Sequence, residues 1–209
     1  MNYDTALQFA NEIVTLLRPF TTRIEIAGGV RRKKKDPHDI EIVCIPKMSN
    51  AELLTSTLDG IPITSPPLNN LHMFLETSTS NRIVFEHGEP DKGKKKAPFG
   101  EKYYRLKYKG EKLDIFAVLP PADFSVIYTI RTGDADFSKW LVSQGFSRGL
   151  RVKDGHLERN GEVLTMSGEE MFLRLMIFDY PKPEDRNLNY CTTHEAAIKA
   201  NMERLRKMM

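Results

Sequence analysis

Cysteine is scarce in this chain: Cys44 and Cys191 are the only two among 209 residues. Two thiols in a chain of this length do not build a disulfide framework, which argues against a small secreted scaffold and for an intracellular, cytoplasmic protein in a reducing compartment. Long hydrophobic runs are also lacking. None approaches the roughly 18 residues that span a bilayer, and Met1-Asn2-Tyr3-Asp4 lacks the basic start and apolar run of a signal peptide, so no membrane partner is expected. There is no internal repeat and no low-complexity tract beyond one lysine cluster. Neither sign of charge dominates, with 31 basic and 28 acidic residues giving a net +3, so bulk charge alone does not point to nucleic acid.

What the chain does contain is unevenly placed. Arg31-Arg32-Lys33-Lys34-Lys35 is an unbroken basic run, and Lys92, Lys94, Lys95 and Lys96 form a second. Such runs are either solvated loops or phosphate-binding surfaces, and the neighbouring residues decide between the two. Apolar positions Tyr3, Ala6, Leu7, Ala10, Ile13, Val14 and Leu17 have the spacing of an amphipathic helix over 3–17, with Pro19 beyond its end. Ile24–Ala27 reads as a strand running into Gly28-Gly29, and 39–45 reads as a second strand closed by Pro46. Ser49 and Glu52 have the spacing of a capping box for a short helix ending near Gly60. Residues 61–79 give mixed signals, with Pro66-Pro67 arguing for a loop. Strands are expected over 81–85 and 103–108, the latter paired as a hairpin with 112–119 across Lys109-Gly110. This makes the first part of the chain a mixed α/β layer, an α+β fold with helices on one side of a sheet.

Beyond about residue 130 the pattern changes. Phe137, Trp140 and Leu141 make a helical stripe that ends at Gly145, and Trp140 reads as core rather than a stacking platform. Asp154-Gly155 and Asn160-Gly161 are two hairpin turns in quick succession. Ser167 and Glu170 form a second capping box before a helix through Met176. The tail from Thr193 to Met209 reads as a terminal helix with a basic face. A subdomain boundary is expected near residue 130, dividing the chain into 1–130 and 131–209.

Three carboxylates stand in strand-like surroundings. Asp39 and Glu41 are two apart, so they project from one face with Cα atoms about 6–7 Å apart; Asp114 lies between Leu113 and Ile115 in another expected strand. If they converge, they form an oxygen-only site suited to Mg²⁺. Taken alone, Asp39 and Glu41 read first as the solvent face of an antiparallel strand, and the flanking residues shift the reading. Gly28-Gly29 just upstream can turn backbone N–H groups toward a phosphate, and Arg31 and Arg32 can grip a triphosphate through paired donors. The histidines have no ligand spacing with the cysteines, so zinc is not expected. Cys44 reads as a buried core residue.

Ala27-Gly28-Gly29-Val30-Arg31-Arg32 followed by His38-Asp39-Ile40-Glu41 resembles the signature of the family X DNA polymerases, the polymerase beta superfamily. The likeness continues in order through Lys112-Leu113-Asp114-Ile115, through Ile130-Arg131-Thr132-Gly133 with Phe137-Ser138, and through Asp179–Arg186, covering roughly residues 22–186. It implies a nucleotidyltransferase palm over 1–130 and a nucleotide-binding thumb over 131–209. Only about twenty residues precede the palm, so no lyase module is expected. By the resemblance, Asp39, Glu41 and Asp114 would hold two Mg²⁺ ions; Gly28, Gly29 and Arg32 would hold the triphosphate; and Lys112 would lie near the primer terminus. Thr132 and Gly133 would pass along the sugar and base of a nucleoside triphosphate. DNA primer and template are the expected partners, and the Lys92–Lys96 cluster would reach a DNA backbone. Three features depart from the family pattern. Glu41 replaces an aspartate, which leaves Mn²⁺ open beside Mg²⁺. Ile130-Arg131 replaces an aromatic pair that excludes a ribose hydroxyl, and Arg131 then reads as a nucleotide, phosphate or template contact. Ser138 replaces an asparagine that reads the base. The expected activity is therefore DNA polymerisation in short-gap filling or repair. The alternatives are untemplated terminal transfer, transfer to RNA or a small hydroxyl acceptor, or a nucleic-acid-binding module with a decayed site. Retention of all three carboxylates opposes the last of these.

Overall fold

The computed structural model describes residues 1–49, 67–193 and 195, together with the backbone of 53–56 and 62–64. Helix α1 (Tyr3–Leu17) follows the apolar spacing: the Asn2 side chain accepts a hydrogen bond from the Thr5 N–H at 2.9 Å, and Ala6, Ala10, Ile13 and Leu17 are fully buried. The chain continues through β1 (Thr21–Ile26), the one-turn α2 (Gly28–Arg31) and β2 (Ile40–Pro46). Two short strands, β3 (Leu53–Ser56) and β4 (Pro62–Thr64), lead to α3 (Asn70–Ser80). Strands β5 (Glu86–His87), β6 (Phe99–Gly100), β7 (Tyr103–Tyr108) and β8 (Glu111–Ala117) follow.

The fold is mixed α+β. Its main sheet has the order β1-β2-β8-β7-β5, with β6 also on β7. All pairs are antiparallel except β2 with β8, which run parallel. Alternation sorts the sheet's two faces. Ile40, Ile42 and Cys44 of β2, with Leu113, Ile115 and Ala117 of β8, point into a core shared with α1 and α3. Burial pushes the Cys44 thiol up to about 12, so it behaves as a small apolar group. The intervening residues Glu41, Val43, Asp114 and Phe116 occupy the opposite face. There Val43 and Phe116 pack with Phe124 of α4 (Phe124–Thr132).

Next come α5 (Ala135–Ser143), a three-stranded antiparallel sheet of β9 (Leu150–Lys153), β10 (His156–Arg159) and β11 (Glu162–Leu164), and α6 (Glu169–Ile177). Phe137, Leu141, Leu150, Leu157, Phe172 and Met176 form a separate core with Val126 of α4. Residue 130 therefore lies within a helix that contributes to the packing on both sides of it. Among the described residues no helix is long and apolar enough to cross a membrane.

Several local expectations are corrected. The capping-box helix over 49–60 gives way at 53–56 to β3, which pairs antiparallel with β4; Thr55 and Ser56 hold a helix weakly, and strand pairing wins. The rest of that segment, 50–52 and 57–60, lies outside the described residues. The region of mixed signals, 61–79, resolves into β4 and most of α3, the latter started by Asn69, whose side chain accepts from the His72 N–H at 3.0 Å. The strand expected over 81–85 is a turn: Arg82 has φ +52°, Ile83 is 70% exposed, and pairing with β7 begins only at Glu86. Ser167 caps nothing. Gly168 takes the N-cap position of α6, and Glu170 pairs with Arg174 at 2.8 Å instead of closing a box. Residues 188–193 and 195 are helical; the remainder of the expected tail helix lies outside the described residues.

Candidate active site

The parallel register sets Glu41 directly beside Asp114, with Ile40 beside Leu113. Asp39 stands in a bend one residue before β2, yet it lines one cleft with Glu41 and another with Asp114, which puts it on the same side of the sheet. Three clefts meet there. One of about 460 Å³ is lined by Gly29, Arg32, Lys34, His38, Asp39, Glu41, Arg131, Gly133 and Ser138. A second, of about 250 Å³, is lined by Asp39, Glu89, Arg105, Lys107, Lys112 and Asp114. A third, of about 560 Å³, is lined by Glu41, Tyr103, Arg105, Asp114, Phe116 and Arg131. Each of the three carboxylates borders two of these clefts.

Burial and mutual repulsion shape their charge. Glu41 is raised to about 7, first by burial and next by the Asp39 carboxylate, with Arg131 and Arg32 pulling the other way. Asp114 is raised as well; burial is the larger cause, and hydrogen bonds from Tyr103 and Arg105 offset part of it. Arg105 on β7 is the register partner of Asp114, with its Nε 3.3 Å from Asp114 Oδ1. Arg131 lies with its guanidinium 3.9 Å from the centre of the Phe116 ring, which in turn stacks on Tyr103 at 5.0 Å.

Gly28 fits this site in two ways. Its φ of +57° is left-handed, and a Cβ there would stand 1.7 Å from Glu41 Oε2. The Glu41 carboxylate thus rests on the glycine backbone while Asp114 leans on Arg105. With the side chains in these positions, no three Asp, Glu, His or Cys groups among the described residues stand close enough to chelate an ion. The donor set nevertheless suits a hard divalent cation, since all its donors are oxygens that border the same group of clefts.

The two adjacent arginines take different roles. Arg31 does not face the cleft. Its Nη1 and Nη2 donate to both Glu169 oxygens at 2.7 Å, its Nη1 also donates to Thr132 Oγ1 at 2.6 Å, and its guanidinium sits over the Tyr128 ring. Glu169 accepts in addition from Arg186, which is 0% exposed and also donates to the Pro181 carbonyl. Burial alone would raise Glu169, but these two arginines hold it at about 2. Arg32 does line the cleft, anchored through Nη1 to the Thr132 carbonyl at 2.5 Å.

Thr132 is therefore a correction. It is fully buried, its hydroxyl donating to Tyr128 O and its carbonyl taken by Arg32, so it positions arginines and does not face a nucleotide. Gly133, Arg131 and Ser138 border the cleft of about 460 Å³, and Lys112 borders the smallest of the three. Ser138 Oγ donates to the Ile130 carbonyl at 2.6 Å. Phe137 is fully buried, and Trp140 is packed against the second core. Sequence reasoning missed Arg105, although the signal was present: the Lys109-Gly110 turn pairs 108 with 111, and counting outward along the hairpin brings 105 to 114. It also missed Glu169, for which no local signal exists.

No protein-family model matches the chain, and no curated protein matches it.

Proposed function

We propose that the protein transfers a nucleoside monophosphate from a nucleoside triphosphate to the 3′-hydroxyl of a DNA primer, in the manner of a family X polymerase filling short gaps. The observation that carries this reading is the parallel register that sets Glu41 beside Asp114 with Asp39 on the same face, at the junction of three clefts. Asp39, Glu41 and Asp114 would hold Mg²⁺ or Mn²⁺. When bound, such ions lower the pKa of an attacking hydroxyl and offset charge on a departing pyrophosphate.

The chain's own residues supply the rest. Arg32, fixed on the Thr132 carbonyl, and Lys34 bring positive charge to the cleft that Gly29 opens, which suits the triphosphate. Lys112 and Lys107 border the opposite cleft, which suits the backbone of the acceptor strand. Arg131, its guanidinium over the Phe116 ring, borders both the cleft with Arg32 and the third cleft and would bear on the incoming nucleotide.

One observation favours untemplated addition as a second reading. The Ser138 hydroxyl hydrogen is committed to Ile130 O, so it cannot donate to a base edge, which supports loose base selection. Primer extension on gapped duplex, recessed template and single strand, with each dNTP and rNTP in Mg²⁺ and in Mn²⁺, separates the two. Product that tracks the template base supports polymerisation, and product that ignores it supports terminal transfer. DNA binding without incorporation in either metal would overturn both.

A further inference from the structure

Arg105 joins the segment 88–98 to the candidate carboxylate site, in contact with both Asp91 and Asp114. Its backbone is held from both sides, the Gly88 N–H donating to its carbonyl at 3.0 Å and its own N–H donating to Pro98 O at 2.9 Å. Gly88 lies so close over the side chain that a Cβ there would come within 2.6 Å of Arg105 Cγ. The guanidinium is shared among three groups. Nε and Nη2 donate to the Tyr103 hydroxyl at 3.0 and 2.7 Å, Nη1 donates to Asp91, and Nε reaches Asp114 only at 3.3 Å. Two carboxylates thus compete for one cation, and the one outside the site has the closer contact.

We infer that Arg105 is a positioning residue that aims Asp114 and competes with a divalent cation for it, while Asp91 draws the guanidinium away and so favours the cation. The inference rests on the reading of Asp39, Glu41 and Asp114 as cation ligands. A resident positive charge in contact with a ligand opposes a second cation, and a guanidinium held by Tyr103 and Asp91 can yield Asp114 while keeping its other two partners.

The test is Mn²⁺ affinity, measured by electron paramagnetic resonance of the free ion on the full chain. Arg105→Gln should bind Mn²⁺ at least about fivefold more tightly than the unsubstituted protein. Asp91→Asn should bind it about twofold or more weakly, and this weakening should vanish when Asp91→Asn is added to Arg105→Gln. A general effect of surface charge would leave the two changes additive, so additivity overturns the inference, as does unchanged or weaker binding in folded Arg105→Gln. If circular dichroism shows Arg105→Gln unfolded, Arg105→Lys takes its place, and Asp91→Asn must then have a smaller effect in it than in the unsubstituted protein. Asp114→Asn separates the two levels. Lost binding there with an unchanged Arg105→Gln overturns only the inference, whereas binding that survives Asp114→Asn, or is absent at the outset, overturns the carboxylate site and the inference with it.

Discussion

Glu41 rests its carboxylate on Gly28, with Oε2 1.7 Å from the place where a Cβ on that glycine would stand. Gly28→Ala therefore meets a side chain at the candidate site and a left-handed backbone at once. It is expected to cost about 1–2 kcal/mol from the backbone alone and to reduce incorporation at least about 100-fold by displacing Glu41. Gly29→Ala is the contrast, since its Cβ would meet Pro37 at an ordinary 3.5 Å, so its urea-unfolding free energy should stay within about 1 kcal/mol of the starting protein. Equal destabilisation by the two substitutions would contradict the account.

Asp114→Asn keeps the shape of the side chain and removes its charge. Incorporation in a primer-extension assay should fall below detection, while DNA affinity stays within a few-fold, because the basic groups of the clefts are untouched. Normal extension by this variant would remove Asp114 from the chemistry.

Glu41 makes stability depend on pH in a stated direction. Folded Glu41 holds its proton up to about 7, whereas the unfolded chain releases it near 4.5, so ionising it opposes folding. Its burden is absent below pH 4.5 and grows as pH rises through about 7, by up to about 3 kcal/mol. Glu41→Gln carries no such proton. Its unfolding free energy relative to the unsubstituted protein should therefore improve steadily between pH 5 and pH 8, and a flat difference would show that Glu41 is not held in this state.

Glu169 behaves in the opposite sense. Its carboxyl is held at about 2 in the folded protein, so the stability it lends is present above the ordinary carboxylate range and is lost as pH falls toward 2. Glu169→Gln leaves Arg186 fully buried without its counter-charge and should cost about 3–5 kcal/mol at pH 7 by urea unfolding. A loss under 1 kcal/mol would mean that Arg186 finds compensation elsewhere.

Much of this architecture is legible before any coordinates. Helix α1, strand β2, the β7–β8 hairpin and the two turns between β9 and β11 are announced by local signals, namely apolar spacing and left-handed turn residues such as Lys109, Asp154 and Asn160. Helices α3 and α4 announce themselves more quietly. Each depends on a single capping side chain, Asn69 accepting from His72 and Asp123 accepting from Ser125 at 2.7 Å.

The division between Arg31 and Arg32 is a matter of helical geometry. Successive residues on a helix differ by about 100° in direction, so at the end of α2 only one of two neighbours can face the cleft. Which one does is decided by Glu169, some 140 positions away, and no local pattern carries that information. The pairing of β2 with β8 is also long-range, and from sequence alone it follows only by way of the family resemblance.

That remoteness has a kinetic corollary. Bringing β8 alongside β2 closes a loop of about 70 residues, among the slower and entropically dearer events available to a chain this size. Asp39 and Glu41 arrive early in synthesis, but their partner emerges much later and must find its groove in the right direction. Fragments ending before residue 111 would carry two of the three carboxylates, so the proposed incorporation should require the chain through β8.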